Sequence, residues 1–351
     1  MRLEFKPDFA EARERWDSYW KKTNKHPLVS VIIPKEGTAP ADKPGWLAGH
    51  DGNFEPVIER ILKWGETHEF IGDAIPFYQF EFGPDHFSTF LGADLKFSPD
   101  SSATSWAVPY VSDWDKAKLS FLRSSPWWEK TVKFIRALRK ALDGKMLIAG
   151  PTMVAGMDSL AAIRGTQDIL MDTVECPEKL LAAQDRQWLA YVEIADELFK
   201  ELNYKEFGSI NRHGMYSKGK IAIPQCDFSC MISPAMFDKF EAPFKEKEIE
   251  YLDASEYHLD GPGAIVHLER LCAIKKLGLI QWVPGTGNPA EMDWTGLYKR
   301  IDSLGKGMIV DGTPEKMKKL VSQMRGKQIF IKTTAKTRKE AEQVYKELSA
   351  L

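Results

Sequence analysis

Tyr257-His258-Leu259-Asp260-Gly261-Pro262-Gly263 reads as the end of a β-strand that delivers two functional side chains into a glycine turn. A second stretch of the same character follows about one helix later, Gln281-Trp282-Val283-Pro284-Gly285-Thr286-Gly287. Polar groups gathered where strands end suit a barrel of alternating strands and helices, which holds its ligands at the carboxyl ends of the strands. The two stretches therefore predict a fold and an enzyme site together.

Working outward, apolar and β-branched runs of strand length recur at Leu28-Val29-Ser30-Val31-Ile32-Ile33-Pro34 and at 74–82, 145–152, 206–211, 256–260, 279–284, 307–311 and 328–333. Helical patterns occupy 128–142, 177–202, 234–252, 264–277, 314–324 and 336–348. Such alternation predicts a parallel sheet, and the number of units predicts an α/β fold, a (β/α)₈ TIM barrel over residues 28–351. Ahead of it, Phe9, Ala12, Trp16, Tyr19 and Trp20 fall at spacings of three and four. They make residues 1–27 an N-terminal helical extension that lids or braces the barrel. Two irregular regions, 35–55 and 83–126, are expected to form long loops over the barrel mouth.

The chain has 351 residues, of which 43% are apolar and 28% charged, with a formal charge of -2. This is the profile of a soluble globular protein. There is no basic excess to neutralise nucleic-acid phosphates. Neither a signal peptide nor a run of roughly 18 apolar residues is present, which predicts a cytoplasmic protein without a membrane span. Cys176, Cys226, Cys230 and Cys272 are too few and scattered for a disulfide scaffold and are expected as free thiols.

His258 and Asp260 are two apart, so on a strand they share a face. A carboxylate beside an imidazole orients it and raises its pKa, which suits acid–base work, and the same two groups are metal ligands. Asp227 lies in Pro224-Gln225-Cys226-Asp227-Phe228-Ser229-Cys230, just ahead of the helix start Ser233-Pro234. Cys226 and Cys230 form C-x₃-C without a second cysteine pair. His258, Asp260 and Asp227 are the catalytic candidates. Trp282, Gln281, Arg164, Asp158, His213 and Phe82 are the substrate-binding candidates, with Trp282 as a flat apolar wall and Arg164 either binding substrate or pairing with a carboxylate. Phe87, Trp106 and Tyr216 are further aromatic candidates for the pocket. Gly285-Thr286-Gly287 lacks the third glycine of a dinucleotide fingerprint, and there is neither a GK[ST] loop nor a G-x-S-x-G elbow.

With these residues in view the chain resembles the uroporphyrinogen decarboxylase superfamily, in particular its decarboxylase-like branch related to corrinoid-dependent methyltransferases. The resemblance rests on Phe82-Gly83-Pro84, Leu91-Gly92-Ala93, Asp158-Ser159-Leu160-Ala161-Ala162-Ile163-Arg164-Gly165, Asp227-Phe228-Ser229, Ile232-Ser233-Pro234-Ala235-Met236-Phe237 and His258-Leu259-Asp260-Gly261. It implies a (β/α)₈ barrel. True decarboxylases of the superfamily hold their tetrapyrrole with an N-terminal Arg-Gln-Ala-Gly-Arg motif, which Ser30-Val31-Ile32-Ile33-Pro34-Lys35-Glu36-Gly37 does not supply. The methyltransferase branch binds zinc through an H-x-C pair and a distant second cysteine. His258 matches the histidine, Asp260 stands at the first cysteine, and no cysteine follows Cys272.

The resemblance implies an enzyme moving a methyl group between a small methylated substrate and a corrinoid carried by a partner protein. A divalent metal such as zinc would be held by His258 and Asp260 in a harder, oxygen-rich site. The alternatives are decarboxylation of a tetrapyrrole or another carboxylated substrate, with Arg212 and Arg164 as pocket arginines, and a non-catalytic protein that binds a corrinoid or tetrapyrrole.

Overall fold

A computed structural model describes residues 2–97, 104–285 and 292–351. Its centre is a seven-stranded sheet in the order His68–Gly72, Leu28–Pro34, Ile329–Thr333, Gly307–Asp311, Leu279–Val283, Ala254–Asp260, Ile221–Ala222. Every neighbouring pair is parallel except the first, where His68–Gly72 runs antiparallel to Leu28–Pro34. Phe77–Gln79 and Leu147–Ala149 pair parallel as a separate piece.

Register sorts the side chains. His258, Gln281, Ile309, Phe330 and Leu28 are partners in one row across five strands, so they share a face. On that face Leu28, Leu279, Ile309 and Phe330 form a core with Phe77, Leu147, Ala149 and Ile210, so the separate pair packs on the same side of the sheet. The opposite face carries Val29, Leu259, Ile280, Trp282, Val310 and Ile331, which meet Leu297, Ile301, Met317, Val321 and Val344 of the covering helices.

The strand ladders do not close into a ring among the described residues, so the pairing establishes a mixed α/β fold with a mostly parallel sheet and not the expected closed barrel. Two local causes are visible. His68–Gly72, absent from the sequence reading, takes the free edge of Leu28–Pro34 in the antiparallel sense. The expected strand over 206–211 opens as a helical turn, Tyr204–Phe207, and shrinks to Ser209–Ile210, which pairs back on Tyr216–Ser217.

The opening helix, Phe9–Trp20, buries Phe9, Ala12, Trp16 and Tyr19. Trp16 meets Phe330 edge-on at 4.8 Å, the Tyr19 hydroxyl donates to the Gln328 carbonyl (3.1 Å), and the Trp20 indole donates to the Tyr216 carbonyl (2.6 Å). Gly278 and Gly307, at the start of two strands, lie so close that an added Cβ would stand 2.6 Å from the Trp20 ring and 2.8 Å from the Tyr19 hydroxyl. The helix therefore braces the amino end of the sheet and is not a lid over the carboxyl end. Truncating a buried tryptophan of this kind costs about 3–5 kcal/mol.

The helix expected over 234–252 breaks into Pro234–Phe240 and Ala242–Tyr251. Pro243 has no N–H for a bond to the preceding turn, so it starts a new helix, and Glu241 between the two is turned fully inward. The described residues of region 83–126 are mostly loop, with a short helix at His86–Thr89 and the antiparallel pair Leu95–Phe97 and Ser105–Ala107. No described helix is long and apolar enough to cross a membrane.

Candidate functional site

Alternation along Ala254–Asp260 turns Glu256, His258 and Asp260 to the inner face. The His258 backbone N–H donates to the Pro224 carbonyl (3.0 Å), and Gln225 bridges to His258 as a parallel partner, which docks segment 224–227 beside the strand. His258 Nδ1 bonds Gln281 Oε1. The Gln281 amide nitrogen points toward the Trp282 carbonyl (3.4 Å), an assignment of the amide that leaves its oxygen for the histidine. Nδ1 is then the protonated nitrogen, and Nε2 carries a lone pair, 3.9 Å from Asp260 Oδ2.

Asp227 arrives from the other side, on the turn Asp227–Met231. Asp158 holds that turn by accepting from the Asp227 N–H (2.9 Å) and the Phe228 N–H (2.8 Å). One ligand atom each from Asp227, His258 and Asp260 lies within 4.8 Å of the other two.

The charges at this meeting point are unbalanced. Burial, then Arg212, pushes His258 down to about 4, so the ring is neutral near pH 7. This overturns the expectation that Asp260 would raise it: at 3.9 Å one half-exposed carboxylate does not outweigh burial. Asp227 presents an open edge to the mouth, yet burial of the rest, with repulsion from Asp158 and Asp260, pushes its carboxyl up to about 7. Burial raises Asp260 as well. Two carboxyl groups that repel each other and an imidazole lone pair thus converge, with the attraction of Arg212 only partly offsetting that repulsion, an arrangement that an added cation relieves. Neutral imidazole and carboxylate oxygens are a donor set that zinc and harder divalent ions accept.

Around the triad lies a bonded polar shell. Glu256 is fully buried; burial pushes it up, but His213 and Asn211, the latter donating at 2.6 Å, outweigh that and hold it below the usual carboxylate range. The His213 ring is 6.3 Å from that of His258. Arg212 donates to Thr152 Oγ1 (3.2 Å) and Gln225 Oε1 (3.1 Å), and the Gln225 amide reaches Asp227 Oδ2 at 3.5 Å. Glu81, buried beside Arg212 and accepting from the Thr152 N–H (2.8 Å), is pushed up to about 7 by burial. Further back, Lys245 sits between Glu241 (3.2 Å) and Glu248 (2.8 Å), all three without exposure. Glu248 also accepts from the Tyr191 hydroxyl (3.1 Å), and Glu241 from the Met157 N–H (2.9 Å).

The structure thus gathers His258, Asp260, Asp227, Gln281 and His213, with Asp158 as the residue that positions Asp227. Three candidates lie elsewhere. Trp282 is on the opposite face from Gln281, packed on Trp294 at 4.8 Å among the covering helices, because adjacent strand residues point to opposite sides. Arg164 grips Asp172 (2.9 Å) and the Ser112 carbonyl (2.7 Å), so it is a structural ion pair. Phe82 has no exposed surface and packs on His86 at 4.7 Å. Of the other aromatics, Phe87 packs on Tyr191, Tyr216 lies under the opening helix, and Trp106 is exposed. All four cysteines are free, and neither buried Cys226 nor exposed Cys230 joins the triad. Thr286 and Gly287 lie outside the described residues. The sequence reading placed Glu81 at the carboxyl end of a strand, as found, and missed Gln225 and Glu256; for Glu256 a signal existed, since it continues the His258 and Asp260 spacing by two.

No known family's sequence profile matches the chain, and no curated protein sequence matches it. Among solved structures it is similar to a "methyltransferase from Methanosarcina mazei", at 12% identity and a TM-score of 0.58, over 97% of each chain. At that identity the likeness shows a shared fold along almost the whole length of both.

Proposed function

We propose that the protein is a methyltransferase-type enzyme, moving a methyl group between a small methylated substrate and a corrinoid carried by a partner protein. The observation that carries the reading is the convergence of Asp227, His258 and Asp260, electron-rich groups whose ligand atoms lie within 4.8 Å of one another. The shared fold with a methyltransferase and the sequence resemblance to the corrinoid-linked branch point the same way. The core shared by the sheet and the Phe77–Gln79 pair supports a (β/α)₈ arrangement as the finer description of the fold.

Asp227, His258 and Asp260 would hold a divalent ion, zinc being the first choice for one nitrogen and two oxygens. Bound there, the ion would supply Lewis acidity to the heteroatom that bears the methyl group. Gln281 keeps the His258 Nε2 lone pair aimed inward, Asp158 fixes Asp227, and Gln225 with Arg212 steadies the far side of the carboxylate. A reduced corrinoid brought by the partner would supply the nucleophile that takes the methyl group, the electron pair of the broken bond staying on the heteroatom, while Asp227, His258 and Asp260 would hold the ion beside that heteroatom.

A second reading, decarboxylation of a carboxylated substrate, is favoured by Arg212 beside Asp227 and by an Asp227 carboxyl that titrates near neutral pH. Elemental analysis of the wild type, His258→Ala, Asp260→Ala and Asp227→Asn after dialysis against zinc separates the two. Methyl transfer predicts one ion per chain in the wild type, lost in each variant, and methyl-cobalt absorbance that appears only when a small methylated substrate is added together with a corrinoid protein whose cobalt has been reduced. A wild type that retains no ion while turning over a carboxylate moves the assignment to the second reading.

A further inference from the structure

Three consecutive residues ahead of Asp158 are each gripped by a different buried side chain. Lys245 Nζ donates to the Ala155 carbonyl (3.2 Å), the Gly156 N–H donates to Gln187 Oε1 (2.8 Å), and the Met157 N–H donates to Glu241 Oε2 (2.9 Å). Gln187, Glu241 and Lys245 have no exposed surface. They come from two distant parts of the chain, the helix Pro177–Glu201 and the start of the helix Ala242–Tyr251. Gly156 has φ +78°, and an added Cβ would stand 2.6 Å from Glu241 Oε1, so only glycine lets the carboxylate come this close.

Stability alone does not account for this grip. Buried ionic groups seldom stabilise more than apolar packing of the same volume, and Gln187 Nε2 is buried with no hydrogen-bond partner among the described residues. What the three side chains do deliver is a fixed backbone at the start of the helix Met157–Arg164. Asp158 lies in the first turn of that helix, and its carboxylate accepts from the N–H groups of Asp227 (2.9 Å) and Phe228 (2.8 Å). The path from Gln187 and Glu241 to Asp227 is thus short: side chain to backbone at 156 and 157, one residue along the helix, and side chain to backbone again.

We propose that Gln187 and Glu241 are positioning residues for the cluster of Asp227, His258 and Asp260. By fixing the backbone at Gly156 and Met157 they set where Asp158 holds the turn that carries Asp227, and so how tightly the three groups grip an ion. The consequence for an ion rests on the reading of that cluster as a metal site; the mechanical link to Asp227 does not.

The test compares the wild type with Gln187→Met, Glu241→Met, Glu241→Gln, Asp158→Ala and the double variant of Gln187→Met with Asp158→Ala. Three quantities are read: zinc affinity in competition with a chromophoric chelator, hydrogen exchange of the Asp227 and Phe228 amides in metal-free protein, and melting temperature. Gln187→Met and Glu241→Met should each weaken zinc binding by about 10–100-fold, the scale for loss of groups that orient a ligand. Both should speed exchange at Asp227 and Phe228 relative to Ile309 and Val310 in the central sheet. Glu241→Gln keeps an oxygen for the Met157 N–H and should retain most of the affinity. In the Asp158→Ala background, Gln187→Met should add less than about a twofold loss, because both act along one path. Where Glu241→Met does not fold, Gln187→Met, which removes no charge, decides alone. A lower melting temperature with zinc affinity and local exchange unchanged would overturn the positioning role, as would full additivity of Gln187→Met and Asp158→Ala. A wild type that takes up no zinc, with the exchange effect present, keeps the positioning role and removes the metal reading; zinc held equally by every variant does the reverse.

Discussion

Two clusters in this molecule have the same composition and opposite states. Glu241, Lys245 and Glu248 are two carboxylates around a nitrogen base, fully buried and closed upon themselves. Asp227, His258 and Asp260 are also two carboxylates around a nitrogen base, but the base is a neutral imidazole and the mouth is open. In the first, Lys245 is the counter-charge, held protonated by its two partners against the opposing effect of burial. In the second the nearby cation is Arg212, which attracts both carboxylates but bonds Thr152 and Gln225 and makes no ion pair with either. A carboxylate pair is closed where the fold sets a cation between its members, and is left open to an added cation where the fold keeps its own at a distance.

The comparison breaks most severely at Lys245. Lys245→Met should cost about 3–5 kcal/mol in urea denaturation because it leaves buried carboxylates uncompensated, and adding Glu241→Gln with Glu248→Gln should restore much of that loss. A loss below about 1 kcal/mol would mean the cluster is not closed as described. At the open cluster the corresponding test is Gln281→Ala, which leaves the three donors in place but frees the ring. It should weaken metal binding by about 10–100-fold, as loss of a group that orients a ligating histidine does, and Gln281→Glu should rescue it.

pH sharpens the contrast further. Asp227 and Glu81 have folded values near 7, above the ordinary carboxylate value of about 4. A raised acid favours the fold while protonated, so metal-free protein should lose stability as pH rises from about 4 through about 7. Metal affinity should rise over the same window, since the ion displaces the proton. Melting curves with and without zinc from pH 5 to 8 check both, and Asp227→Asn should flatten its share. The smallest effect belongs to Trp282: Trp282→Phe should cost on the order of 1 kcal/mol of stability and leave metal affinity unchanged. A change in metal affinity there would place the indole in the site after all.

What could be read from the sequence follows from the range of each interaction. The spacing of His258 and Asp260 is local, and it put both on one face as the structure does. The same rule, applied to Gln281 and Trp282, forbids both from facing the site, so the misplacement of Trp282 was avoidable. The depressed pKa of His258 was not legible, because it depends on burial and on Arg212, which only the folded chain brings near. The Lys245 cluster stayed hidden because its polar residues sit in a helical pattern whose charged positions look solvated. Pro243, which breaks that helix and turns Glu241 inward, was the overlooked sign. The fold was legible as alternating strands and helices, whereas His68–Gly72 went unread, because its antiparallel pairing depends on a distant partner, Leu28–Pro34.

The brace at the amino end has a consequence for traffic. With Trp16, Tyr19 and Trp20 packed against the base of the sheet, a molecule bound for His258 comes and goes over the carboxyl ends. Under the proposed methyl transfer, donor and acceptor would share one doorway and wait their turn at it, and a large excess of either one should slow the reaction by standing in the way of the other.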